Sequence, residues 1–260
     1  MDYRDLEALD NAYVSTFSTM QQTSWGYLFY NERQPDYYDA NHAYISTFTG
    51  QYEEIIAEVI TFYQEKNLVP RFYLTLNEGY QDFLEVLKER GFRFESFDSP
   101  VQLWKRNVEL KGNPLVKIEQ VTAETKHEAI QIECQIQELG GAIREKAFEE
   151  EFAHPAFTHY VLKYDGVPCS TACIFQNGRD ARLESVATLK EYRGKGLIGQ
   201  LIAYLQKEVK ARGIANFWVM PINERVEKVY QKSGFETVAV IKTGHAFYGG
   251  KGIKEIKNGD

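Results

Sequence analysis

The chain has 260 residues, 43% of them hydrophobic, and a formal net charge of −7, which is enough apolar material for one large domain or two small ones. Acidic and basic residues are interspersed rather than blocked, which argues against a nucleic-acid groove and a polybasic membrane contact. Cys134, Cys169 and Cys173 have no paired metal spacing and rule out a disulfide framework. With an acidic amino terminus and no apolar run long enough to span a bilayer, they lead us to expect a cytoplasmic protein.

In chain order, the aromatic run Trp25 to Tyr30 reads as a strand ahead of the polar turn Asn31 to Pro35. Ile55, Ile56, Val59, Ile60 and Tyr63 predict a helix over 51–66, followed by a strand at Phe72 to Leu76. A helix over 80–90 stops at Gly91, and two strands follow, Phe92 to Phe94 and Val101 to Trp104. Lys111-Gly112-Asn113-Pro114 is the expected boundary, dividing the chain into 1–112 and 113–260.

Beyond it come a strand from Leu115, helices over 123–139 and 143–152, and an antiparallel meander of Tyr160 to Tyr164, Ser170 to Gln176 and Leu183 to Leu189. The third strand runs into the turn Lys190-Glu191-Tyr192-Arg193-Gly194-Lys195-Gly196. A helix then begins, with Leu197, Ile198, Leu201, Ile202, Leu205 and Val209 on one face. Unpaired amides at a helix start, with glycines beside Arg193 and Lys195, predict an anion cradle for phosphates. Last come the strand Asn216 to Met220, a helix capped by Asn223 and broken at Ser233-Gly234, and strands at Phe235 to Ile241 and Ala246 to Tyr248.

Gly194, Gly196 and Gly199 also spell the dinucleotide fingerprint, but a meander precedes them, and the place of the acidic residue is taken by Trp218-Val219-Met220. His154 and His159 lack a zinc-binding spacing, so no metal is expected.

Arg193-Gly194-Lys195-Gly196 resembles the signature of the GNAT superfamily of acyl-CoA-dependent N-acyltransferases, departing from it at Ile198, where glycine or alanine is usual. Asn223, Tyr230 and Lys232-Ser233-Gly234-Phe235 resemble the same family's late helix and its ending. The resemblance covers about residues 115 to 248. It implies an α/β (α+β) fold with a mixed, largely antiparallel central sheet flanked by helices. It also implies acetyl-CoA as co-substrate, and transfer of its acetyl group to a primary amine of a small molecule, protein or peptide.

On this resemblance Tyr230 is the general acid. The thioester and pantetheine arm lie against backbone donors at Ala187, Thr188 and Leu189. The diphosphate is held by Arg193, Gly194, Lys195, Gly196, Leu197 and Ile198, with Asn223 either capping its helix or touching the CoA arm. Glu184, on a strand face with Val186 and Thr188 by simple alternation, is the candidate base; pairing with a lysine or arginine is its other reading.

Aligning Gly91-Phe92 with Gly234-Phe235 sets Phe72-Tyr73-Leu74 beside Phe217-Trp218-Val219 and Leu87 at the place of Tyr230. Two tandem GNAT-like halves are therefore expected, the first having lost its chemistry. A binding-only, acyl-CoA-sensing regulator is the alternative function, and a homodimer is compatible with either.

Overall fold

The computed structural model describes residues 3–48, 50–76 and 79–258. Contacts divide the chain into two compact units, a larger one of Met1–Leu9 and Pro100–Ala239 and a smaller one of Asp10–Ser99 and Val240–Asp260. In chain order the first elements are α1 (Tyr3–Val14), β1 (Thr19–Gln22), β2 (Gly26–Tyr30), β3 (His42–Ile45), α2 (Tyr52–Glu65), β4 (Arg71–Thr75), α3 (Tyr80–Glu89) and β5 (Arg93–Trp104). They are followed by β6 (Val116–Gln120), α4 (Lys126–Glu133), α5 (Arg144–Ala153), β7 (Phe157–Tyr164), β8 (Val167–Asn177) and β9 (Asp180–Thr188). The chain closes with α6 (Leu197–Ala211), β10 (Asn216–Val219), α7 (Glu224–Lys232), β11 (Phe235–Phe247) and α8 (Ile253–Asn258).

In the larger unit the strand order is β5-β10-β9-β8-β7-β6. The meander β6 to β9 is antiparallel, whereas β10 runs parallel to β9, because the α6 crossover returns the chain in the same direction. The stripe read on α6 is its buried face. Leu197, Leu201, Ile202, Leu205 and Val209 pack with Ala181, Leu183 and Phe217, and each such aliphatic side chain contributes about 1.5–3 kcal/mol. A second apolar cluster, Val121, Ala129, Ile132, Phe148, Val161 and Ala187, lies under α4 and α5.

The smaller unit has β1-β2-β3-β4-β11 in order, with β3 and β4 parallel around the α2 crossover, the same device as β9-α6-β10. Its core gathers Ile55, Ile56, Val59 and Tyr63 of α2 with Phe72, Leu74, Phe83 and Leu87. The Tyr63 hydroxyl donates to the Phe29 carbonyl at 2.8 Å.

The two pairs of strands expected around Phe92–Trp104 and Phe235–Tyr248 are single long strands, β5 and β11, and this moves the boundary expected at 112/113. Leu103 and Gln102 at the end of β5 pair with β10, which is in the larger unit. Thr243 to Phe247 at the end of β11 pair with β4, which is in the smaller unit. Each half thus lends the tail of its last strand to the unit built mainly from the other half. Backbone hydrogen bonding, not the polar strap at 111–114, decides where the units divide.

Gly234, at the end of α7, has φ +87°, and a Cβ placed on it would sit 2.1 Å from the Arg106 carbonyl oxygen. Gly234→Ala is expected to lower stability by about 2–4 kcal/mol, the left-handed penalty plus the steric one, measurable as a shift in denaturant midpoint.

Burial holds the imidazole of His42 down at about 3, against the opposing pull of its hydrogen bond to the Asp39 carbonyl. His245 is held at about 4, chiefly by burial and partly offset by the Glu95 hydrogen bond; His159 is held at about 3 by burial and then by Arg144. Below pH 6.5 the unfolded chain takes up protons that these folded sites refuse. Stability present above that pH is therefore expected to fall toward pH 4, by about 1.4 kcal/mol per pH unit per histidine. Glu133, raised by burial to about 7, acts the other way between 4.5 and 7, one group against three. Denaturation midpoints that stay flat from pH 6.5 to 4.5 would contradict this.

Candidate active site

The parallel pairing of β9 with β10 covers only Asp180, Ala181 and Arg182 on β9. Beyond Arg182 the strands part, and the carboxyl-terminal half of β9 presents a free edge to the gap. On its other side β9 stays on β8, with a register break between Thr171 and Cys173. Ser185 sits there at φ +51°, a left-handed conformation for a non-glycine residue and the mark of a β-bulge.

The bulge reverses the alternation of side chains. Ala181 and Leu183 join the core under α6 and Glu184 stands opposite Cys173, but Val186 packs on the α6 side and Ala187 under α4 and α5. The expected common face of Glu184 and Val186 is therefore corrected. One extra residue between them places them on opposite faces of the sheet.

The backbone donors expected at Ala187, Thr188 and Leu189 separate in the same way. The Leu189 amide donates to the Cys169 carbonyl at 3.0 Å, so it is spent within the sheet and its assignment as a thioester donor is withdrawn. Ala187 is in register with Thr171, and its carbonyl accepts from Ser170 Oγ at 2.6 Å. Alternation then turns the Thr188 amide toward the edge that β10 has left. Arg193 Nε donates to the Thr188 carbonyl at 3.0 Å, so the signature arginine ties the strand end to the turn that follows it.

Gly194 and Gly196 have φ of +81° and +73°, and a Cβ at either would meet nothing within 4 Å. Glycine is here for backbone conformation and for an approach from outside, not to relieve crowding. Among the described residues the amides of Gly194, Lys195, Gly196, Leu197, Ile198 and Gly199 donate to no backbone or side-chain acceptor. Six consecutive free donors at the start of a fifteen-residue helix form an anion cradle with the helix dipole behind it. Lys195 is exposed, its ammonium 4.9 Å from the Tyr164 ring centroid and 5.0 Å from that of Tyr192. Leu197 is buried, and Ile198 is half-buried against the α6 core. The side chain that departs from the signature thus leaves the cradle through the protein interior.

Asn223 caps α7, its Oδ1 accepting from the Val226 amide at 3.0 Å. Two turns on, Tyr230 is 6% exposed and packs against Phe235. Burial, and then the charge of Glu184, push its phenol well above the ordinary tyrosine value, which keeps it protonated across the neutral range. Glu184 accepts from Arg182 Nε at 2.7 Å, the paired arrangement its residue type also allowed.

Sequence reasoning missed the charged network beside the bulge. Arg144, at the start of α5, donates from Nε to Glu133 at 2.6 Å and from Nη1 and Nη2 to Glu151 at 2.6 and 2.5 Å. Its Nη2 also reaches Ser185 Oγ at 2.9 Å. Arg144 is 8% exposed and Glu133 fully buried; charged residues in polar helices give no sequence signal that they turn inward. Among the described residues all three cysteines are free and no cluster of metal-ligating side chains occurs. No described helix is long and apolar enough to cross a membrane.

Residues 126–235 match the model of the Acetyltransferase (GNAT) family. An inferred acetyltransferase of Bacillus subtilis (strain 168) is 27% identical over 127 residues, 48% of this chain and 86% of that protein. A GCN5-related N-acetyltransferase from Kribbella flavida superposes with a TM-score of 0.71 at 16% identity, covering 96% of this chain and 97% of that one. A tandem GNAT protein from the clavulanic acid biosynthesis pathway does so at 0.57 and 11% identity, covering 81% and 76%. At these identities the superpositions speak for the fold, a GNAT fold with tandem relatives.

Proposed function

We propose, for a chain whose residues 126–235 carry a GNAT acetyltransferase domain, that it transfers an acetyl group from acetyl-CoA to a primary amine by direct attack on the thioester. The observation that carries this reading is the run of six free amides from Gly194 to Gly199, set directly after the free edge of β9. The diphosphate would lie on those amides, and the pantetheine arm would run along the strand edge toward the Thr188 amide.

The amine nitrogen attacks the thioester carbon, and the developing oxyanion takes a hydrogen bond from the strand edge. The C–S bond then breaks as the Tyr230 hydroxyl gives its proton to sulfur. The amine's own proton leaves through water, toward Glu184 once Arg182 releases it or directly to solvent. The free thiols suit a reducing compartment such as the cytoplasm.

The sequence of the first half offers no counterpart to the basic turn or to Tyr230. No lysine or arginine occurs between His42 and Tyr52, and Leu87, at the place of Tyr230, is fully buried. One equivalent of acetyl-CoA per chain is the expected calorimetric stoichiometry.

The pairing of Glu184 with Arg182 favours a second reading, a protein that binds acyl-CoA without turning it over. Thiol release from acetyl-CoA over a panel of small amines and amino-terminal peptides separates the two. Acceptor-dependent release supports the transferase. Saturable binding with no release above the buffer rate supports the sensor. Acetyl-CoA that fails to bind at all defeats both.

A further inference from the structure

We propose that Arg144 is a positioning residue that locks the β9 bulge in the register presenting the Thr188 amide to the acyl group; this rests on the acetyl-CoA reading above. Because strand side chains and amides alternate with a period of two, one residue gained or lost between Glu184 and Thr188 exchanges every direction that follows. With the bulge, the Leu189 amide bonds the Cys169 carbonyl and the Thr188 amide faces the open edge. Without it the two swap, and the edge beside β10 offers a different donor at a different height.

The bulge is an unfavourable conformation, since Ser185 holds φ +51° without being glycine. Something outside the strand has to hold it. Ser185 Oγ accepts a hydrogen bond from Arg144 Nη2 at 2.9 Å. Arg144 is itself fixed by three hydrogen bonds to Glu133 of α4 and Glu151 of α5. The guanidinium fork therefore ties the two helices over this face to the single residue where β9 changes register. Glu133 Oε1 has no hydrogen-bond partner among the described residues, so the cluster is organised around the arginine rather than around full satisfaction of its carboxylates.

The test reads the thioester carbonyl directly. Acetyl-CoA labelled with carbon-13 at the carbonyl is bound to the full-length protein, and its stretching band is recorded by difference infrared spectroscopy. A hydrogen bond from a fixed amide moves that band to lower wavenumber. Arg144→Met leaves the buried Glu133 and the half-buried Glu151 without their cation, so Ser185→Ala, which removes only the tethered oxygen, is measured beside it. Both are expected to lose the shift while holding the acetyl-CoA dissociation constant within about threefold of wild type, because the diphosphate cradle is untouched.

Ser185→Gly is expected to keep the shift, since glycine adopts positive φ without a tether, and to restore it when added to Arg144→Met. That rescue is a result that loss of general stability would not produce. A shift retained in Ser185→Ala, or no rescue by glycine, overturns the role of Arg144 and leaves the transferase reading standing. A wild-type protein that binds no acetyl-CoA overturns both.

Discussion

Replacing Tyr230 with phenylalanine is expected to lower kcat by about 10²-fold or more, the usual size of a lost general acid, with KM for acetyl-CoA nearly unchanged. The substitution removes one oxygen and keeps the ring, which is 6% exposed, so folding should lose little. The phenol is held above its ordinary value by burial and by Glu184. The acidic form is therefore the one present at any pH where the enzyme works, and the alkaline limb of the rate profile should not belong to Tyr230. Steady-state kinetics of both proteins from pH 6 to pH 9 check this. A kcat that survives the change would move the proton donor elsewhere and leave the transferase reading standing.

The second large effect is expected at Gly196. Valine there must adopt φ near +73°, costing about 1–2 kcal/mol of stability for the left-handed conformation. Its side chain projects into the space where no protein atom lies within 4 Å. The expected outcome is an acetyl-CoA affinity lowered by about 10²-fold, roughly 2.7 kcal/mol, because a branched side chain would occupy the approach to six amides. Calorimetric titration against wild type, paired with a denaturation curve, separates the two terms. A variant that loses stability but keeps its affinity would show that the diphosphate does not rest on this turn.

The parts of the site legible in the sequence are those where one residue type does one local thing. Glycines at positive φ, an apolar stripe at helical spacing and an asparagine at a helix start all appear where expected, and α6 and α7 with them. What escaped depends on partners distant in sequence. Nothing at Ser185 marks a bulge, because its left-handed backbone is held by an arginine 41 residues earlier. The continuity of β5 through Glu95, Ser96, Asp98 and Pro100, which read as a break, belongs to a strand whose neighbours in the sheet order, β11 and β10, both come from the other half. The strand β3, four residues long, is too brief for periodicity to show, and the twelve-residue helix α1 buries only Leu6, Leu9 and Val14 among its described apolar side chains, too sparse a stripe to read.

The traded tails of β5 and β11 bear on why the two halves stay in one chain. A polypeptide ending at residue 112 would carry a strand whose mate, β10, is missing, and one beginning at 113 would carry Thr243 to Phe247 with no β4 to receive them. Loss of the first half would uncover sticky borders on the second, a route to clumping rather than to a smaller soluble protein. The two pieces are better thought of as complementing fragments, expected to regain activity when made together and to precipitate when made apart.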